Sequence, residues 1–262
     1  MRLLPMIGWA ALALAPSLLL ARVHPFGDAD LYAGHAAAEA VSEQAAIPPG
    51  VRAMLNAKCA DCHSAQTRTP LYGRFAPVSW LLERDIMEAR KHMDLSQWTT
   101  YTPEEQDTLK SKMLQQAKTG AMPVMQYRMI HWSSRITPAD IAALTNWAHP
   151  RVAADARSAA VLPGDPDRGR AVFEKRCTGC HSLERNIEGP RLGGVFGRPT
   201  GAVPGFPYSA ALKNAHAVWN EQSLDKWLTE PDSFVGGSNM DFRVPKAQER
   251  QDLIAFLAKA AR

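Results

Sequence analysis

All four cysteines of the chain fall in two five-residue strings, Cys59-Ala-Asp-Cys62-His63 and Cys177-Thr-Gly-Cys180-His181. Two thiols about one helical turn apart, with an imidazole directly after them, put three reactive or ligating groups along one short stretch of backbone. No cysteine remains for a cross-link elsewhere, and a disulfide inside each pair would leave the histidine unexplained. The strings stand more than a hundred residues apart, so each needs a core of its own around it.

Three chemistries use such residues. Structural zinc would draw on both pairs, which their separation along the chain argues against. A redox dithiol wants a βαβ setting, and alternating strand patterns are scarce in this sequence. Covalent haem attachment uses every residue of both strings: each cysteine adds to one vinyl group of the porphyrin, and the adjacent histidine falls beneath the iron. Cys59, Cys62, Cys177 and Cys180 are therefore expected to carry two haem c groups, with His63 and His181 as proximal iron ligands.

A chain of 262 residues suits two small domains and a short extra segment. The net charge of +4 is too modest for a nucleic-acid partner. Arg2, the uncharged apolar run from Leu3 to Ala21, and Arg22 read as an export signal or anchor. The run approaches the roughly 20 residues needed to span a bilayer. An uncleaved anchor on the periplasmic side of a bacterial inner membrane is favoured; the alternative is a soluble periplasmic protein after cleavage near Gly27-Asp28-Ala29.

The expected organisation is a signal anchor or signal peptide over 1–23, a tether over 24–50, a first haem domain over 51–150, a linker over 151–163 and a second haem domain over 164–262. Helix starts are flagged by Thr102-Pro103-Glu104-Glu105, Thr137-Pro138-Ala139-Asp140 and Pro166-Asp167-Arg168. Leu253, Ile254, Leu257 and Ala258 share one face of a helix near the end of the chain. The fold class is all-α: two small helical haem domains in tandem after an N-terminal apolar helix.

From about Gly164 onward the sequence resembles mitochondrial-type class I cytochrome c. The resemblance rests on Gly169-Arg-Ala-Val-Phe173, Gly189-Pro190-Arg-Leu192, Gly194-Val-Phe-Gly-Arg198-Pro-Thr-Gly201, Pro204-Gly-Phe-Pro-Tyr208-Ser-Ala-Ala211, Trp219, Asn239-Met240 and Asp252-Leu-Ile-Ala-Phe-Leu257. It implies that Met240 is the second axial ligand beside His181, that Pro190 orients His181 through its carbonyl, and that Arg198, Tyr208 and Trp219 approach the haem propionates. It also implies that Gly169 and Phe173 meet Leu253 and Phe256 where the first and last helices cross. Two departures stand out. Leu212 replaces an amide and Trp227 a tyrosine near the methionine sulfur. Asp232, Ser233 and Asn239 thin the lysines that border the haem edge in the family, which weakens the case for a lysine-ring docking partner.

The first domain is similar to the bacterial haem-binding domain of membrane-tethered cytochromes. The matching residues are Cys59-Ala-Asp-Cys62-His63-Ser, Ala76-Pro-Val-Ser-Trp80, Arg90-Lys-His, Met122-Pro123 with Tyr127 and His131, and Asn146-Trp147. The distal ligand is open among Met122, Met125, His92, Met93 and His131, and a five-coordinate iron is a further option. Met122 is preferred, because it precedes proline after Gly120-Ala121 in the family's Met-Pro setting and follows His63 by the interval that separates Met240 from His181.

Together these features imply a dihaem electron carrier without catalytic residues, in a respiratory or photosynthetic chain outside the cytoplasm. The donor would be a quinol-oxidising complex or a dehydrogenase and the acceptor an oxidase or reductase. Two other readings stay in view: a dihaem peroxidase-type enzyme, and a fixed relay subunit of a larger membrane complex.

Overall fold

The computed structural model describes residues 14–31, 47–150 and 162–260. Among these no strand forms, and only an isolated antiparallel bridge joins Pro199 to Val218. The helices in chain order are α1 (Pro49–Lys58), α2 (Ala60–His63), α3 (Val78–His92), α4 (Pro103–Thr119), α5 (Met125–Ile130), α6 (Pro138–Ala148), α7 (Pro166–Arg176), α8 (Ala210–Lys213), α9 (Glu221–Thr229), α10 (Pro231–Phe234) and α11 (Ala247–Lys259). They fall into two compact units. One holds the described residues up to Thr100 together with Pro123–Ile136; the other holds Tyr101–Met122 and the described residues from Thr137 onward.

In the first unit, α1 opens on Pro49 and buries Val51, Met54 and Leu55. It stops at Cys59, whose φ of −125° breaks the helix so that α2 starts afresh with the haem-type string. The long helix α3 buries Ser79, Glu83, Ile86 and Ala89, a stripe of helical period. Ala29 and Leu31 pack against Ile86, Trp80 Nε1 donates to the Leu20 carbonyl at 3.1 Å, and Thr69 Oγ1 donates to the Leu31 carbonyl at 2.8 Å. Residues 24–31, expected to belong to a tether, are therefore part of this unit. Their short run of Asp, Ala and Gly shows no periodicity, and what fixes it are contacts with residues far along the chain.

Of the remaining expected tether, 32–46 lie outside the described residues, as do 1–13 of the N-terminal segment and 151–161 of the linker, whereas Ile47 is fully buried and Pro49 and Gly50 open α1. Residues 14–20 are helical. No helix among the described residues is long and apolar enough to cross a membrane.

In the second unit, the three expected helix starts are present with their physical causes. Thr102 and Glu105 form a reciprocal capping box for α4, and Thr137 and Asp140 form one for α6. Asp165 accepts from the Asp167 and Arg168 amides ahead of α7, with Pro166 in its first turn. Gly120, at φ 68°, ends α4 in the left-handed conformation. Helices α7 and α11 cross where a Cβ on Gly169 would lie 1.9 Å from the Asp252 carbonyl oxygen, so only glycine permits that approach. Phe173 and Phe256 meet there with ring centroids 5.4 Å apart. Helices α4 and α6, expected inside the first domain, fall in this second unit, where Lys110 of α4 lies over the Trp147 ring of α6.

Candidate functional site

Helix α7 runs directly into the second cysteine string. The Cys177 amide closes the helix on the Phe173 carbonyl at 2.8 Å, and the Cys180 and His181 amides both turn back to the Cys177 carbonyl, at 3.0 and 2.8 Å. This coil brings both thiols and the imidazole to the lining of one cavity. His181 Nδ1 donates to the Pro190 carbonyl at 2.8 Å, which fixes the tautomer and leaves Nε2 for a metal. Burial lowers the His181 pKa and so keeps the ring in its neutral, ligating form. Gly189 is required beside it, since a Cβ there would sit 2.3 Å from the imidazole Cε1.

The cavity has a volume of about 340 Å³, within the range of cofactor sites. Cys177, Cys180, His181, Pro190, Arg198, Tyr208, Trp219 and Met240, all named from the sequence, line it together. Its apolar wall includes Leu192, Val195, Leu224, Leu253 and Leu257. Trp227 Nε1 donates to Met240 Sδ at 3.1 Å, so the tryptophan that replaces a tyrosine still supplies a hydrogen bond to the sulfur. Arg198 is braced by the Gly193 and Arg191 carbonyls at 3.1 and 2.9 Å.

Sequence reasoning missed one wall of this cavity. Thr108, Ser111, Lys112 and Gln115 of α4 line it. Lys112 donates to the Gly179 carbonyl at 2.7 Å and pairs with Glu188 at 2.9 Å, and Lys118 bridges Asp232 and Asp241 at 3.1 and 2.5 Å. Asp232, one of the positions where a lysine was missing, thus answers a lysine within its own unit. Nothing local in α4 signals this role, because its partners lie far along the chain.

The first unit repeats the proximal arrangement. The Cys62 and His63 amides return to the Cys59 carbonyl at 3.2 and 3.0 Å, and His63 Nδ1 donates to the Met93 carbonyl at 3.2 Å. Burial lowers the His63 pKa too. Around Cys62 stands a polar network: Tyr127 donates to Asp61 at 2.9 Å, His131 stacks on Tyr127 at 4.2 Å, and Tyr72 and His131 are hydrogen-bonded at 2.5 Å. His131 Nε2 is thus already engaged. Met125 and His92 are largely exposed, His92 beside Glu88, while Met93 is buried and supplies the carbonyl to His63. Met122, the preferred distal ligand, is the last residue before the border at Pro123, where the chain returns to the unit that holds His63.

The residues fit covalent haem. Burial pushes the thiols of Cys62 and Cys180 up to about 11 and that of Cys177 to about 12. Redox dithiols and thiolate metal sites need depressed thiol pKa values, the opposite shift. Buried neutral sulfurs beside an apolar cavity, with a histidine whose Nδ1 is tied to a carbonyl, are what a thioether-linked porphyrin requires.

Comparison with known proteins agrees with this geometry. Residues 18–150 match the family model described as "Haem-binding domain", and residues 166–261 match the model described as "Cytochrome c". Cytochrome c of Euglena viridis is 45% identical over 97 residues, which cover 36% of this chain and 95% of that protein. Cytochrome c of Sesamum indicum is 40% identical over 102 residues, 37% of this chain and 92% of that protein. Cytochrome c type-1 of Ascaris suum is 42% identical over 97 residues, 36% of this chain and 87% of that protein.

Proposed function

Because the chain belongs to the haem-binding domain family through residues 18–150 and to the cytochrome c family through residues 166–261, we propose that it is a dihaem c-type cytochrome that moves single electrons outside the cytoplasm. The carrying observation is the repetition of one proximal device. In each unit a Cys-x-x-Cys-His string coils on the carbonyl of its first cysteine, and the histidine Nδ1 is held by a backbone carbonyl, Met93 in one and Pro190 in the other.

Bound haem supplies a one-electron couple at iron. The residues of the chain do the rest. Cys59, Cys62, Cys177 and Cys180 hold the porphyrins. His63 and His181 present Nε2 as proximal ligands, and Met240 and Met122 are the proposed distal ones, with His131 and Met125 as the alternatives to Met122. Pro190 fixes His181, and the apolar wall excludes water, which favours the reduced, less charged state. Arg198, Tyr208 and Trp219 are placed to meet the propionates.

The apolar run over 1–23 is the proposed membrane tether on the periplasmic side, a reading supported by the exposure of Leu14, Leu18, Leu19 and Leu20 in the helical residues 14–20. Electrons would come from a quinol-oxidising complex or dehydrogenase and leave to an oxidase or reductase. A peroxidase-type reading draws on the Tyr72, His131, Tyr127 and Asp61 network around Cys62, which offers acid–base groups to an iron with an open position.

The deciding experiment combines haem stoichiometry with near-infrared spectra of the oxidised wild type, Met122→Ala and Met240→Ala proteins. Two haems per chain and two methionine-to-iron charge-transfer bands, each lost in one variant, are expected. A high-spin first haem that turns over peroxide would replace the carrier reading with the enzyme one, and one haem per chain would end the dihaem reading.

A further inference from the structure

Glu83 of α3 is fully buried, and its Oε2 has no hydrogen-bond partner among the described residues. One helical turn earlier, on the same stripe of α3, Ser79 is equally buried and its Oγ is equally unpartnered. Burial raises the Glu83 pKa, the mark of a carboxylate short of positive charge. Two unmet oxygens on one buried face of a helix cost roughly 1–3 kcal/mol each, more where charge is involved.

The segment packed on that face brings the missing chemistry. Gly27, at φ 106°, turns the chain between His24 and Asp28, and Asp28 Oδ1 accepts from the Asp30 amide at 2.8 Å. His24 Nδ1 stands 2.6 Å from Glu83 Oε1 and 3.8 Å from Asp28 Oδ1. One ligand atom from each of the three residues lies within 4.8 Å of the others. A protonated His24 would answer only one Glu83 oxygen and would leave two carboxylates against a single positive charge. A divalent cation with a neutral imidazole and two carboxylates closes the charge at zero.

We propose that His24, Asp28 and Glu83 form a binding site for a first-row divalent transition cation, with zinc as the reference ion, that clips the segment after the apolar run onto α3. One nitrogen and two carboxylate oxygens are the donor types such an ion takes at about 2.0–2.2 Å, and water can complete the shell. Calcium, which wants six to eight oxygens, does not suit this set. Loading the ion replaces the 2.6 Å hydrogen bond between His24 Nδ1 and Glu83 Oε1, whose atoms must open to the roughly 3.3–3.6 Å that separates two ligands of one tetrahedral ion, while the more than half exposed Asp28 can swing in.

The test uses the full-length haem-loaded protein. Chelator-treated samples are dialysed against buffered micromolar free zinc, and bound zinc and iron are counted by mass spectrometry. Wild type is expected to hold one zinc more per chain than Glu83→Gln or His24→Asn at unchanged iron, with millimolar calcium unable to displace it. Equal zinc in wild type and Glu83→Gln overturns the proposal. Where Glu83→Gln fails to fold, the surface variant Asp28→Asn decides: a zinc affinity about tenfold weaker or worse supports the site, and an unchanged affinity overturns it.

Discussion

At the scale of single residues, the Trp227 hydrogen bond to Met240 Sδ is the contact whose chemistry is easiest to isolate. With Met240 as the iron ligand proposed above, an N–H aimed at the sulfur withdraws electron density that would otherwise stabilise ferric iron, and so raises the potential. Trp227→Phe keeps an aromatic filler and removes the donor. The expected result is a midpoint potential lower by tens of millivolts, since a hydrogen bond of about 1 kcal/mol corresponds to about 40 mV for one electron. Redox titration of the haem carried by the Cys177–His181 string checks it. His149 offers a different readout. Its Nε2 is buried without a partner among the described residues, and desolvation, helped by Arg243 and Lys118, pushes it down to about 4. The folded chain therefore keeps this imidazole neutral while the unfolded chain protonates it near 6.5. Its share of stability is intact above about 6.5 and is lost as the pH falls towards about 4. His149→Asn is expected to flatten the fall of the urea midpoint across that interval.

Among elements, the crossing of α7 and α11 is the most tightly specified, because Gly169 sits directly under the Asp252 carbonyl. Gly169→Ala must push the helices apart and is expected to cost about 3 kcal/mol, read as a lowered denaturant midpoint with the haem still attached. The apolar stripe of α11 was legible in the sequence as a local pattern, and the crossing itself was what the resemblance to class I cytochrome c implied. The cysteine strings and the helix starts at Thr102, Thr137 and Pro166 were legible too, each written within five residues. The second duty of α4 was not. Nothing local marks its lysines, because Glu188, Asp232 and Asp241 lie far along the chain, beyond the reach of any periodicity. Residues 24–31 were missed for the same reason, since an irregular segment announces no partner and its anchors, Thr69, Glu83 and Ile86, are far along the chain.

For the whole molecule, the division of the chain bears on how the cavity lined by Cys177, Cys180 and His181 meets the outside. The curated relatives consist almost entirely of the matched segment, 95% of the Euglena viridis protein, so residues 164–262 amount to a domain that stands alone elsewhere. Here the same domain has α4 laid along its cavity, held by Lys112 to Glu188, Lys118 to Asp232 and Asp241, and Lys175 to Glu104. The pairs of Lys112 with Glu188, Lys118 with Asp232 and Lys175 with Glu104 are solvent-accessible, worth only about 0–1 kcal/mol each and weakened by salt, while Asp241 is buried beneath Lys118. A fragment of residues 164–262 lacks Thr108, Ser111, Lys112 and Gln115 as a wall. It is expected to fold with its haem and, once reduced, to be oxidised by ferricyanide severalfold faster than the same haem in the full chain. Raising the salt should speed the full-length protein towards the fragment, and Lys118→Ala should fall between them. Equal rates for fragment and full chain at low salt would mean that α4 leaves the haem edge open, and the screening role would then have to be given up.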